Sequence, residues 1–395
     1  MTESWLLDLL LVILIAAYVV AGYRRGILHS VASIAGILAG AVAAYFAVPL
    51  VGSLVPEPMW RIVATVFVAI TLVLLGHSVG TRIGSAARST LKKSPLRVVD
   101  RILGAAVNLA ASALIASLLA LSATALGIPV VSQAIGSSTV LRTIDDVTPD
   151  PVEALLAQLR SAVVDGGLPL ITEALGGITT SPELPLVETG TPALTAAAAS
   201  VVRITGNAYE CGQNQTGSGF VVATDRVVTN AHVVAGVTEP IVELPGGGAL
   251  AGQVVYFDPV KDLAVIAVAG METAPLPLSG LLAPETTGVV DGYPYGGPFT
   301  TEPARVLSIT TSGVDDIYGG ANGSREIYTL AADVREGNSG GPLLTESGSV
   351  AGVVFAKSAE LENVGYALTM TELEPVAAQA PTLTDTVASG TCISG

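Results

Sequence analysis

Cysteine is nearly absent from this 395-residue chain: the two present, Cys211 and Cys392, allow at most one internal disulfide and exclude a disulfide framework. Charge is scarce as well, at 13% of residues, and it is unevenly placed. Up to residue 126, nine Lys or Arg stand against four Asp or Glu, a net of +5; from residue 127 onward nine stand against 29, a net of −20, which together give the formal −15. Only the second half has the composition of an acidic soluble protein. No basic region precedes the first apolar run and no small-residue cleavage site follows it at Tyr23, Arg24 and Arg25. A cleaved leader is therefore not expected, and the segment should stay attached. No metal-ligand or cofactor pattern is read in the chain, so neither is expected.

Long apolar runs are what the first half does contain: residues 6–21, 27–51, 62–77 and 102–126. Each approaches the ~20 residues a helix needs to cross a bilayer, and four of them in such a short stretch predict a four-helix transmembrane bundle with a lipid bilayer as partner. Basic residues gather in the first loop (Arg24, Arg25) and the third (Arg82, Arg88, Lys92, Lys93, Arg97, Arg101), and are missing from GSLVPEPMW, residues 52–60, of the second. Short Lys- and Arg-rich loops remain cytoplasmic. Both chain ends and the whole second half are then expected outside the inner membrane. Beside a membrane the basic third loop reads as a contact for anionic lipid, with no nucleic acid involved. Gly36 and Gly40 form a GxxxG pair, which suits close helix packing either within the bundle or between copies of the chain. His77, at the end of the third run, reads as a helix-end imidazole reaching the headgroups.

The chain changes character after residue 126. Residues 151–164, PVEALLAQLRSAVV, place apolar side chains at helical spacing behind Asp150 and Pro151, which predicts an amphipathic helix. The Pro-, Gly- and Thr-containing stretch that follows reads as an exposed linker, open to cleavage by the protein itself. From about residue 198, Gly-rich turns separate short β-branched runs at 201–205, 219–223, 227–229, 254–257, 264–268, 306–311, 328–331, 350–355 and 365–368. Many short strands imply an all-β barrel or sandwich. The expected domains are 1–126 (membrane helices), 127–197 (amphipathic helix and linker) and 198–395 (the β domain).

Three groups in this half carry chemistry. TNAHVV holds His232, KDLAVI holds Asp262 and GNSGGP holds Ser339. A serine hydroxyl becomes nucleophilic when a neutral imidazole takes its proton, and that imidazole needs a buried carboxylate to fix its tautomer. The order His, Asp, Ser is that of the two-barrel chymotrypsin architecture. Asp258 competes for the carboxylate role, but Pro259 places it in a turn, whereas Asp262 leads into the apolar strand. Gly337 and Ser339 should present backbone N–H groups to an oxyanion, glycine tolerating the backbone angles that this requires. Asp333, six residues before Ser339, sits where a carboxylate could read Lys or Arg, though Arg335 could neutralise it. Val354, Phe355 and Ala356 are expected to line the primary pocket, with Phe355 limiting its depth. The rival reading is a membrane scaffold or transport-related protein whose β domain binds partners without cutting them.

The strings GSGF, VVTNAHVV, DPVKDLAVI, GNSGGPL and NVGYALT resemble chymotrypsin-like proteases of the bacterial HtrA type over about residues 201–370. With a helical unit similar to colicin V production proteins, the whole chain resembles the actinobacterial membrane-anchored acid-resistance serine proteases. That resemblance implies a periplasmic endopeptidase processing cell-envelope proteins under acid or oxidative stress. It also implies His232 as base, Asp262 as its orienter, Ser339 as nucleophile, Gly337 as an oxyanion donor, and a Cys211–Cys392 bridge, two free thiols being the alternative that the residues leave open. Two departures accompany it. The 25 residues after Met370 are too few for the PDZ module of HtrA proteins, and Asn338 stands where digestive relatives carry the Asp that pairs with a freed N-terminus.

Overall fold

The computed structural model describes residues 4–54, 58–91, 97–124, 129–161, 169–171, 177–208, 213–320, 323–391 and 393. Its contacts divide into two compact units, one of residues 8–116 and one built mainly of residues 117–395. Cys211 and Cys392 both lie outside the described residues.

In the first unit the apolar runs form α1 (Ser4–Arg25), α2 (Ile27–Leu54), α3 (Pro58–Leu91) and α4 (Arg97–Thr124). Each contains a segment of at least 21 residues long and apolar enough to cross a membrane. Glycines set how closely they approach. A Cβ on Gly36 or Gly76 would strike the other's carbonyl, and one on Gly80 would strike that of Ala32. The α2 GxxxG face is therefore filled by α3 of the same chain. A second close approach joins Gly22 and Gly26 of the α1–α2 corner to Gly104 of α4. There Asp100 accepts the Ile27 N–H at 3.0 Å, satisfying a donor at the start of α2.

α3 corrects two sequence expectations. It runs on to Leu91, well past residue 77, because small residues on its α2 face keep the polar turns packed. His77 thus lies inside the helix, with its ring nitrogen Nδ1 3.0 Å from Ser33 Oγ of α2, not at a helix end. Arg82 and Arg88 likewise lie on the helix rather than in a loop.

Short helices α5 (Pro129–Gly136), α6 (Thr139–Val147) and α7 (Asp150–Ser161) lead into the second unit, where one amphipathic helix had been expected. They are packed rather than free: Gly248 N–H donates to the Gly136 carbonyl, and buried Ala157 meets Gly297. After β1 (Leu170–Ile171) and α8 (Pro192–Ala198) come two curled seven-stranded sheets.

The first sheet comprises β2 (Val201–Ala208), β3 (Gln213–Ala223), β4 (Arg226–Thr229), β5 (Ile241–Glu243), β6 (Ala249–Ala251), β7 (Gln253–Asp258) and β8 (Leu263–Ala267), in the order β6-β5-β2-β3-β4-β8-β7. A one-turn helix, α9 (Ala231–Val234), follows β4. The second adds to β1 the strands β9 (Thr287–Gly292), β10 (Thr300–Val314), β11 (Gly323–Ala331), β12 (Pro342–Thr345), β13 (Val350–Ser358) and β14 (Val364–Thr369). Pairing of β13 with β14 closes it on itself, so the sheet has no long open edge there. Ile204, Val227 and Ile266 fill the first barrel; Val290, Tyr328 and Val354 fill the second. A third cluster, with Phe220, Phe355 and Tyr366, draws on strands of both sheets and receives the C-terminal helix α10 (Met370–Gln379).

Candidate active site

His232 sits on α9, directly after β4, and is buried. Its Nδ1 lies 2.8 Å and 3.0 Å from the two carboxylate oxygens of Asp262, and its backbone N–H donates to Oδ1 at 3.0 Å. One carboxylate therefore fixes both the ring and the backbone of the histidine. Asp262 stands just before β8 in the left-handed region, at φ 55°, an unfavourable backbone for a residue with a Cβ. The Asn230 side chain holds it there by donating to the Asp262 carbonyl at 2.8 Å. Asp258, the competing carboxylate, accepts the N–H groups of Val260 and Lys261 at 2.9 Å and so caps the turn.

Ser339 is carried by the GNSGGP loop before β12, and two glycines let that loop pack tightly. Gly337 has φ 90° and Gly340 φ 82°; a Cβ on Gly337 would strike the Tyr293 carbonyl, and one on Gly340 the Thr229 hydroxyl. The second contact brings the serine loop against the residues just before α9. Ser339 Oγ and His232 Nε2 are both buried, and neither makes a hydrogen bond among the described residues. The structure thus unites His232 with Asp262 and presents Ser339 without closing the serine–histidine bond. Hydrogen bonds of this kind are commonly long in unliganded sites and tighten with substrate.

Ser218, within the GSGF string, has a larger part than its sequence suggested. Its N–H donates to the Ser339 carbonyl at 2.8 Å, its hydroxyl donates to the Gly337 carbonyl at 2.7 Å, and the same oxygen accepts the Tyr293 N–H at 2.9 Å. Thr229 Oγ1 in turn donates to the Ser218 carbonyl at 2.7 Å. One serine of the first barrel therefore straps the Ser339 loop of the second. Nothing local in the sequence marks this, because the partners lie 119 and 75 residues away.

Of the residues expected at the primary pocket, Asp333 pairs with Arg335 at 2.5 Å, both partly exposed. That hydrogen bond, ahead of the opposing effect of burial, raises the Arg335 guanidinium above its ordinary value. Val354 exchanges backbone hydrogen bonds with Gly340 and Gly341 and turns its side chain into the second barrel. Phe355 and Ala356 join the shared cluster instead, across a bulge in β13. Asp291, buried at the end of β9, is a titratable group that sequence reasoning missed. Burial raises its carboxyl to about 7, against a small opposing effect of the Thr301 hydroxyl across the ladder. Its backbone carbonyl lies where a Cβ on Gly341 would go, so it sits directly behind the serine loop.

The comparisons with known proteins agree with this geometry. Residues 217–353 match the model of the trypsin-like peptidase domain, and residues 7–149 that of the colicin V production protein. Over its whole length, and the whole length of the relative, the chain is 34% identical to the serine protease Rv3671c of Mycobacterium tuberculosis. It belongs to the Rv3671c family of serine proteases. The crystal structure of the Rv3671c protease in its active form superposes with a TM-score of 0.51 at 36% identity, covering 56% of this chain and all of that one. A putative serine protease HhoB of Synechocystis is 36% identical over 41% of this chain and 39% of its own. The chain joins apolar N-terminal helices to a trypsin-like all-β protease domain. It is a serine protease with membrane-spanning helices.

Proposed function

We propose that this protease cleaves peptide bonds through His232, Asp262 and Ser339, and that it does so outside the inner membrane on proteins of the cell envelope under acid or oxidative stress. The observation that supports the catalytic assignment most strongly is the buried, doubly hydrogen-bonded His232–Asp262 pair, with the His232 Nε2 and the Ser339 hydroxyl making no hydrogen bond among the described residues. In the reaction, Ser339 Oγ attacks the scissile carbonyl carbon as its proton passes to His232 Nε2. Asp262 stabilises the imidazolium. The oxyanion is received by the N–H groups of Gly337 and Ser339, the Gly337 carbonyl being turned away toward Ser218. The C–N bond breaks as the imidazolium protonates the leaving amine. Water, deprotonated by the same imidazole, then releases the acyl group.

With Asp333 engaged by Arg335, the pocket has no uncommitted carboxylate from this pair to read a basic side chain, and an apolar preference follows. The outward placement rests on the basic residues toward the ends of α1, α3 and α4 on one side: Arg24, Arg25, Arg82, Arg88, Arg97 and Arg101. The acid setting gains support from Asp291, whose burial is tolerated best when it is neutral. The Cys211–Cys392 bridge and cleavage within the linker belong to the same proposal. So does association through the membrane helices, which would have to use a face other than Gly36 and Gly40. The test compares envelope peptides from acid-stressed cells carrying the wild-type or the Ser339→Ala chain. Envelope fragments that depend on Ser339 are expected; identical peptide sets would refute the proposal and favour a scaffold. Protease protection of the β domain in right-side-out vesicles would separately refute the orientation.

A further inference from the structure

The turn that delivers Asp262 belongs to the first barrel, yet it is held from the second. Arg325, on β11, is buried and donates through Nε to the Val260 carbonyl at 2.6 Å and through Nη2 to the Asp315 carbonyl at 2.6 Å. No carboxylate pairs with it among the described residues. Its guanidinium lies 5.7 Å from the centre of the Phe355 ring, in the core cluster shared by the two sheets. Beside it, Lys261 bonds Glu372 of α10 at 2.5 Å and the Ser324 carbonyl at 3.0 Å. Glu372 is itself fixed by the Glu326 N–H at 2.8 Å. The Val260 side chain fills the space that a Cβ on Gly323 would need, and Ile317 N–H donates to the Pro259 carbonyl at 3.1 Å. Every residue from Pro259 to Lys261 is thus tied to the other barrel, immediately before an Asp held at φ 55°.

Burying a guanidinium against carbonyl dipoles alone is an expensive way to gain stability. A left-handed non-glycine residue also persists only where its surroundings over-determine it. Both features are explained if the contact exists for geometry. We propose that Arg325 is a positioning residue for the catalytic acid: by gripping the Pro259–Lys261 turn from the second barrel it holds Asp262 in register with His232. This rests on the assignment of His232, Asp262 and Ser339 made above.

The experiment uses the full chain in detergent, with sites counted by saturating fluorophosphonate labelling and turnover read on dye-labelled casein. In Arg325→Gln, kcat per titrated site is expected to fall about 10- to 100-fold with KM within about threefold, the signature of a misplaced reacting group. Arg325→Lys, which keeps one donor in reach of Val260, should recover most of the loss. The downfield His232 Nδ1–H proton resonance should shift in Gln and return in Lys. A loss confined to the number of titratable sites, with normal kcat per site, would overturn the proposal. If Arg325→Gln yields no folded sites, Lys261→Met should lower kcat several-fold at constant KM; an unchanged kcat there would overturn it equally. Labelling that survives Ser339→Ala would instead overturn the triad reading on which the proposal stands.

Discussion

Asp291 shows how one side chain can set the pH response of the molecule. Its ordinary value is 3.8 and burial raises it to about 7, so between those limits the folded chain holds a proton that the unfolded chain has released. Stability from this group is therefore greatest in acid and is lost as the pH climbs toward 7. Asp291→Asn, which carries no charge at any pH, is expected to raise Tm at pH 7.5 by at least about 2–4 °C, the shift of one kcal/mol in a domain of this size, and to raise it less at pH 5. Thermal unfolding at the two pH values measures this. An equal effect at both, or a larger one in acid, would contradict it. His232, Asp262 and Ser339 were legible as residues because each sits in a short string that carries its own chemistry. Asp291, Ser218 and Arg325 were not, since what matters about them is burial, or partners 65 to 119 residues away.

Among the elements, the membrane helices could be found from apolar length alone, but their pairing could not. Gly36 and Gly40 announced a close contact without naming its partner, and α3 supplies it through Gly76 and Gly80. Gly76→Leu should force α2 and α3 apart, costing about 1–3 kcal/mol of overpacking. Denaturant titration in detergent, followed by α-helical circular dichroism, should show the first unit destabilised while fluorophosphonate labelling of the protease unit keeps its rate. An unchanged first-unit transition would show that the glycine contact is not needed. The β-branched runs were all strands, whereas β1, β5, β6, β9 and β12 were missed because they are short or broken by Gly and Pro. α10 was missed as well, and Pro375 lies inside it.

At the scale of the whole chain, the proposed catalytic residues are divided between the two barrels. The first supplies His232 and Asp262, the second supplies Ser339, and Ser218 and Arg325 each reach from one barrel to grip a loop of the other. The two-barrel fold was legible in the chain order, since His, Asp and Ser in that succession belong to a two-barrel design. The hydrogen bonds that hold the halves in register arise only when strands distant in sequence are brought together. The most direct measurement is mass spectrometry of the full-length chain after reaction with a fluorophosphonate, in the wild type and in His232→Ala, Asp262→Asn and Ser339→Ala. The expected result is a single adduct on the peptide containing residues 337–342, located on Ser339, absent in Ser339→Ala and slowed by orders of magnitude in the His232 and Asp262 variants. An adduct on another residue, or labelling at the wild-type rate without His232, would contradict the account.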